Sequence, residues 1–251
     1  MGEKMCKTKQ KKYVPFMDEG RQKYLRKWDL GVYETLVQIK DVKDYELMGV
    51  SLRVYPGVHA GLWTDTQLLG KALNKIVKKD DKVLDLGTGT GIHAILAAKV
   101  TENVTAIDFN EKSIKNAKEN FVKNGVSEKI NLIESDGFSK LQGKKFDIIS
   151  INPPFRWFKP KDILDAASND ENYVFLNRFL SEAKHHLTDN GRILLVFANT
   201  ADIGYLQYLF GLYRYEVKVV EEEKPDEWRI YRVFELRDMR YCKGEKSGTC
   251  R

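Results

Sequence analysis

Only three cysteines occur in 251 residues, and Cys6, Cys242 and Cys250 lie too far apart and too near the termini to frame a disulfide scaffold or zinc site. A reduced, cytoplasmic setting and no bound metal are expected. No apolar run comes near the roughly eighteen residues a membrane span needs, so no membrane partner is expected. The lysine-rich start, Met1 to Lys12, has no apolar core behind it and does not read as a secretory signal. Charge of one sign is not scarce enough to exclude much. The balance of 42 basic to 36 acidic residues, net +6, is compatible with an RNA-facing surface without establishing one.

What is present is an alternation of short apolar runs with helical stripes. Residues 1–20 read as a mobile basic arm. A helix is predicted over Arg21–Trp28, resuming at Gly31–Ile39, and the alternation from Tyr45 to Tyr55 predicts a hairpin bent near Gly49. Strands are then predicted at 82–86, 104–108, 130–134, 146–151 and 192–197, with helices between them. One of these runs from Tyr173 to Leu187 and stops at Asp189-Asn190-Gly191. Two further strands, Tyr215–Val220 and Trp228–Leu236, suggest an antiparallel edge hairpin. Strands joined by crossover helices argue an α/β fold with a mostly parallel sheet covered on both faces. The expected division is 1–57 as basic arm and small N-terminal subdomain, 58–236 as the main domain, and 237–251 as a polar tail.

Asp85-Leu86-Gly87-Thr88-Gly89-Thr90-Gly91 follows a strand and opens a helix. Glycines there permit positive φ and close approach of the backbone to a ligand, and the helix start offers free N–H groups. A dinucleotide loop would place its third glycine where this chain has Ile92, and no Walker lysine follows, which argues against hydride-transfer and NTP-hydrolysing enzymes. Instead, Asp85 stands two places before the first glycine, Asp108 closes the next strand, and Asp136 follows the third. In an open α/β sheet these strand ends converge on one crevice. Asp108 is placed to accept from ribose hydroxyls and Asp136 from an exocyclic amine such as that of adenine. Asp85 could attract an ammonium or brace the loop. A strand-end Asp is also a common cap or turn former, but three in register with the glycines describe a pocket for a positively charged adenosine.

This constellation resembles the class I S-adenosylmethionine-dependent methyltransferases over roughly Pro56 to Leu236. The resemblance implies S-adenosyl-L-methionine as cofactor and a Rossmann-like sheet of seven strands. It also implies a site taking in Gly87, Thr88, Gly89 and Gly91, Asp108 with Phe109, Asp136 with Gly137, and Asn152.

The fourth strand of the sheet runs directly into Asn152-Pro153-Pro154-Phe155. Two prolines stiffen the backbone and withhold their own N–H groups, leaving the Pro153 carbonyl as an acceptor beside the Asn152 side-chain oxygen. Two acceptors on a rigid loop suit a planar –NH2 with two donors, and Phe155 offers a face for a flat group. Such a nitrogen has its lone pair spread into a π system. Holding both N–H bonds aims that lone pair at the methyl donor, so catalysis rests on positioning rather than on a metal or strong base. The segment resembles the motif of methyltransferases acting on adenine N6, guanine exocyclic amines and glutamine amides. The resemblance makes Asn152, Pro153 and Phe155 the catalytic residues.

Val54-Tyr55-Pro56-Gly57-Val58 and the stretch after it, Asp65 to Leu69, are similar to the "methyltransferase small" family, which includes ribosomal RNA guanine-N2 enzymes and release-factor glutamine N-methyltransferases. In that family the segment passes over the cofactor, which implies Thr64 and Thr66 as cofactor-lining. An RNA guanine amine is the first expectation for the acceptor, a protein glutamine amide the second. A small-molecule amine and a non-catalytic cofactor-binding module are further alternatives. Arg156-Trp157-Phe158-Lys159-Pro160-Lys161 reads either as a cationic, aromatic lid over RNA or as packing above the cofactor. His93, His185 and His186 read as structural, and His59 carries little weight alone.

Overall fold

The computed structural model describes residues 13–240. The arm lysines (Lys4, Lys7, Lys9, Lys11 and Lys12) and residues 241–251 of the expected polar tail lie outside the described residues, whereas Arg237 and Asp238, also assigned to that tail, belong to the last strand. Tyr13, assigned from sequence to the mobile arm, is buried instead. Its hydroxyl donates to Asp202 Oδ2 at 2.6 Å, and its ring meets Tyr173 and Tyr205 edge-on. The Phe16 N–H donates to the same carboxylate oxygen at 2.7 Å.

Asp18 caps α1 (Glu19–Val37), accepting from the Arg21 N–H at 2.9 Å. Two helical pieces were expected, yet the helix continues through Gly31. Leu25, Asp29 and Leu36 are buried along it, and this packing offsets the roughly 1 kcal/mol that a mid-helix glycine costs. The predicted hairpin forms as β1 (Lys43–Leu47) and β2 (Val50–Val54). Met48 and Gly49 turn it with φ of 53° and 70°, the positive pair that a two-residue primed turn requires.

The main layer is built from α2 (Thr64–Ile76), β3 (Val83–Leu86), α3 (Ile92–Ala98), β4 (Val104–Asp108), α4 (Glu111–Lys123), β5 (Ile130–Glu134) and β6 (Phe146–Ile151). After these come α5 (Val174–Glu182), β7 (Leu187–Ala198), α6 (Ile203–Leu212), β8 (Tyr215–Glu223) and β9 (Tyr231–Asp238). The seven-stranded sheet has the order β5-β4-β3-β6-β7-β9-β8, parallel except where β9 runs antiparallel to β7 and β8. Central strands β3 and β4 are buried at every position and are accordingly mostly apolar, Asp85, Thr105 and Asp108 being the exceptions. The chain builds outward from β3 to β5 and then returns to β6 on the other side, so the crevice opens where the order reverses.

Several predicted boundaries move: the last two strands run over Tyr215–Glu223 and Tyr231–Asp238 rather than 215–220 and 228–236. The helix expected from Tyr173 begins after Asn172 and Tyr173, both at positive φ, because the Tyr173 hydroxyl is drawn inward to donate to the Phe155 carbonyl at 2.7 Å. Asp189-Asn190-Gly191, expected to end a helix, lies within β7; the register shift between Phe146 and Ile148 of β6 absorbs these residues.

The hairpin is joined to the main layer by asparagines. Asn116, Asn120 and Asn124 lie at four-residue spacing on α4 and face the open edge of β2. Their Oδ1 atoms accept from the N–H groups of Tyr55 (3.2 Å), Arg53 (2.8 Å) and Ser51 (3.1 Å). Their Nδ2 groups donate back to the carbonyls of Arg53 and Ser51. A helix thus supplies the partners a neighbouring strand would have given, and the edge is not left unpaired.

Candidate active site

A cavity of about 1020 Å³ lies at the carboxyl ends of β3, β4 and β6 and reaches as far as Trp28 and Val32 of α1. Its floor is the glycine loop. The N–H groups of Gly87 and Thr88 both donate to the Ile107 carbonyl (2.9 and 2.8 Å), which folds the loop over the end of β4. Gly87, Gly89 and Gly91 have φ of 75°, 56° and 86°, a region where side chains other than glycine's are strained. At Gly91, which caps α3, a Cβ would also stand 2.5 Å from the Phe121 ring. At Gly87 a Cβ would meet nothing within 4 Å, and at Gly89 only the His59 carbonyl at 4.0 Å, so this backbone is open to the cavity.

The three acids take different places. Asp85 is buried behind the loop and is not on the cavity wall. It accepts from the Thr88 hydroxyl at 2.6 Å and the Ser150 hydroxyl at 3.0 Å, so it braces the loop. Asp108 lines the cavity, accepting from the Gly89 N–H and the Asn110 N–H, each at 2.9 Å. Burial pushes its carboxyl above the ordinary carboxylate range, and those N–H groups oppose the shift. Asp136 sits at the exposed rim beside Gly137, bound by both arms of the Arg178 guanidinium. That pairing holds its carboxyl below the usual range. Phe109 also lines the cavity and is 51% exposed, a large apolar face offered to whatever enters.

Thr64 and Thr66 open α2 and line the same cavity. Thr66 is buried, and its carbonyl is held by His93 Nε2 at 3.0 Å, a structural use of that histidine. His59 stacks obliquely on Trp63 with centroids 4.8 Å apart, and desolvation pushes its imidazole below the usual range, towards the neutral form. His186 stacks on Phe138 away from the cavity.

At the other end, Asn152, Pro153 and Phe155 come to the cavity wall together. The Asn152 Nδ2 donates to Asp65 Oδ2 at 2.7 Å, so its oxygen is the atom left to accept from a ligand. Asp65 lies in the first turn of α2 and was missed as a site residue. It stands between the two threonines singled out from sequence, but nothing local marks its partner 87 positions away. Among the described residues, none donates to the Pro153 carbonyl. Phe155 is largely buried, and its ring packs against Phe197 with centroids 5.1 Å apart.

Neither reading of residues 156–161 holds as made: the segment packs, but Trp157 and Phe158 do not line the cavity and the Arg156 charge is buried. Arg156 is buried against α1, with its Nε 3.5 Å from Asp29 and its guanidinium 5.1 Å from the centre of the Trp28 ring. Trp157 and Phe158 are buried beside Tyr13, and Arg26 lies over Phe158 at 4.2 Å. The cationic lid does not form; α1 covers the segment instead. Arg178, Tyr231 and Trp28, which sequence reasoning also missed, are brought to the cavity from α5, β9 and α1.

Among the described residues no group of three or more His, Cys, Asp or Glu side chains could hold a metal, and no helix is long and apolar enough to cross a membrane.

The sequence model of the methyltransferase small domain matches residues 50–231. A candidate protein N5-glutamine methyltransferase of Methanocaldococcus jannaschii is 32% identical over 158 residues, covering 60% of this chain and 77% of its own. The ribosomal RNA small subunit methyltransferase C of Haemophilus influenzae is 33% identical over 152 residues, 58% of this chain and 42% of that protein. Among solved structures, a T. Thermophilus 16S rRNA N2 methyltransferase in complex with AdoMet and guanosine superposes with a TM-score of 0.58 at 23% identity. That match covers 79% of this chain and 50% of the other, so this chain spans about half of each RNA enzyme.

Proposed function

The chain belongs to the methyltransferase small domain family, a family of S-adenosylmethionine-dependent methyltransferases, and on that premise we propose that it methylates a planar amine or amide nitrogen. The observation that carries this reading is the Asn152–Asp65 bond, which commits the carboxamide nitrogen to protein and leaves the oxygen for an incoming N–H.

The residues present suit the donor. The open backbone at Gly87 and Gly89 is free of any Cβ that would fill the space, Asp108 is a buried acceptor, and Phe109 gives an apolar face. Asp108 would take ribose hydroxyls, Phe109 would cover the adenine, and Asp136 would accept from its amine. Thr64 and Thr66 would line the donor's path to the acceptor. S-adenosylmethionine bound there supplies an electrophilic sulfonium methyl. Asn152 and the Pro153 carbonyl hold the two N–H bonds of the acceptor, turning its lone pair out of conjugation, and Asp65 holds Asn152 in that orientation. Buried walls at Phe155 and Ile151 exclude water from the transfer.

The acceptor in this reading is the exocyclic amine of guanine in RNA. A cavity of about 1020 Å³ is at the upper end for a single small ligand and has room for a nucleoside-sized donor and a purine together. Trp28, Trp63 and Tyr231 give its acceptor end aromatic faces. A protein glutamine amide is the second reading, favoured by the name of the M. jannaschii relative. The deciding experiment supplies labelled donor to an extract lacking the enzyme and separates RNA, protein and small molecules. Label in RNA supports the first reading and label in protein the second. If Asn152→Ala transfers as fast as the parent, the assignment of that residue fails. Donor binding without any transfer would instead make the chain a cofactor-holding module.

A further inference from the structure

We infer that α1 and the loop between β8 and β9 form a stacking platform for the single-stranded RNA flanking the acceptor base. This rests on the RNA reading above and adds α1, which lies outside the residues matched by the family, to a loop that lies within them.

A row of rings leads from the cavity to the surface. Trp28 lines the cavity wall, and its ring meets Trp228 with centroids 5.1 Å apart and planes at 69°. Trp228 in turn meets Tyr24 at 5.7 Å and 87°. Tyr24 is 49% exposed and Trp228 is 37% exposed, so the outer rings present area to solvent that the core does not use.

Cations are interleaved with these rings. The Arg229 guanidinium lies 5.9 Å from the centre of the Trp28 ring and 5.6 Å from that of Trp228. Lys27, three residues on from Tyr24 and so on the same side of the helix, is exposed. Between Arg21 and Gly31 the only acid is Asp29, which is buried against Arg156, so the outward face of this stretch is positive. On the loop, Asp226 is engaged by Arg229, and Glu227 is exposed.

Rings set among cations are what a single strand uses: phosphates follow the charges and bases stack on the aromatic faces. An acidic peptide would be drawn by the cations but would have no use for the rings. With the acceptor base in the cavity, a neighbouring nucleotide leaving past Trp28 would arrive at Trp228 and Tyr24.

The test is the affinity of the full chain, without methyl donor, for an unstructured, dye-labelled ten-nucleotide RNA across a series of salt concentrations. Replacing both outer rings (Tyr24→Ala with Trp228→Ala) is expected to weaken binding by at least about tenfold, with the salt slope kept. Trp228→Phe, which keeps a ring, should restore most of the loss. Replacing the charge beside Tyr24 (Lys27→Ala) should lower the log–log salt slope by about 0.7. Unchanged donor affinity and melting temperature show that each variant is folded. The proposal is overturned if the parent does not bind the RNA, if loss of the rings changes nothing, or if a ten-residue polyglutamate competes as well as RNA. Asn152→Ala separates the two readings: it should bind this RNA like the parent while failing to transfer methyl, and a missing platform would leave its transfer defect intact.

Discussion

The carboxamide nitrogen of Asn152 donates to the carboxylate of Asp65 at 2.7 Å, tying the loop after β6 to the first turn of α2. An amide can turn about its last torsion, and a turned Asn152 would present donors to an acceptor that itself brings donors. Asp65, having only acceptor atoms when ionised, permits one orientation.

Asp65→Ala is therefore expected to reduce kcat by on the order of a hundredfold, as a misplaced catalytic group does, with donor affinity kept within a few-fold. Asp65→Asn, which retains an oxygen in place, should fall between that variant and the parent. Steady-state kinetics with donor binding measured separately checks both. A fall in donor affinity equal to the fall in rate would mean that Asp65 shapes the cofactor site rather than Asn152.

Burial raises the Asp108 carboxyl, so it takes up a proton at a pH where an ordinary aspartate has lost one. A protonated Asp108 is a poorer acceptor for ribose hydroxyls. Donor affinity should be flat near neutral pH and fall on acidification, beginning above the usual aspartate value of about 3.9. Stability has the opposite sign. Because the folded pKa is the higher one, this group's stabilising contribution is complete below the unfolded value and is lost as pH rises through the folded value. Calorimetric titrations of donor at a series of pH values should show the dependence in the parent and lose it in Asp108→Asn.

Asn120 is fully buried and accepts from the Arg53 N–H while donating to the carbonyls of Arg53 and Thr90. Asn120→Ala would strand these backbone groups. Denaturant unfolding should show a loss of about 2–3 kcal/mol, because unsatisfied buried polar groups cost more than the bonds themselves return. A loss below about 0.5 kcal/mol would mean that the hairpin is held by its apolar face alone.

Gly91→Ala combines a left-handed backbone with a Cβ 2.5 Å from Phe121. The expected destabilisation is about 2–4 kcal/mol from the two effects together. Pairing it with Phe121→Leu should recover the packing part only, because the backbone strain remains.

Much of this architecture is legible along the chain. The runs Val104–Asp108, Ile130–Glu134 and Phe146–Ile151 form strands over the predicted residues, because short runs rich in valine and isoleucine suit a pleated sheet, even where edge positions such as Asn131 and Glu134 are exposed. Asn110 caps α4 as its position before the stripe implies, its Oδ1 accepting from the Lys112 N–H at 3.0 Å. These are effects of neighbours within a few residues. The break expected near residue 30 and the stop expected at Gly191 go the other way, since in each place packing from distant chain outweighs a local propensity.

The amino-acid sequence alone determined that a glycine loop, three strand-end acids and Asn152-Pro153 would meet at one sheet edge, because strand order and alternation fix where strand ends lie. Only the tertiary structure decided what each group does there. It set Asp85 behind the loop, gave Asp136 to Arg178, and brought Asp65 to Asn152 and α1 over Arg156. Each of those pairings joins residues 42 to 127 positions apart, and hydrogen bonds and ion pairs act over a few ångströms of space, a proximity that no local pattern encodes.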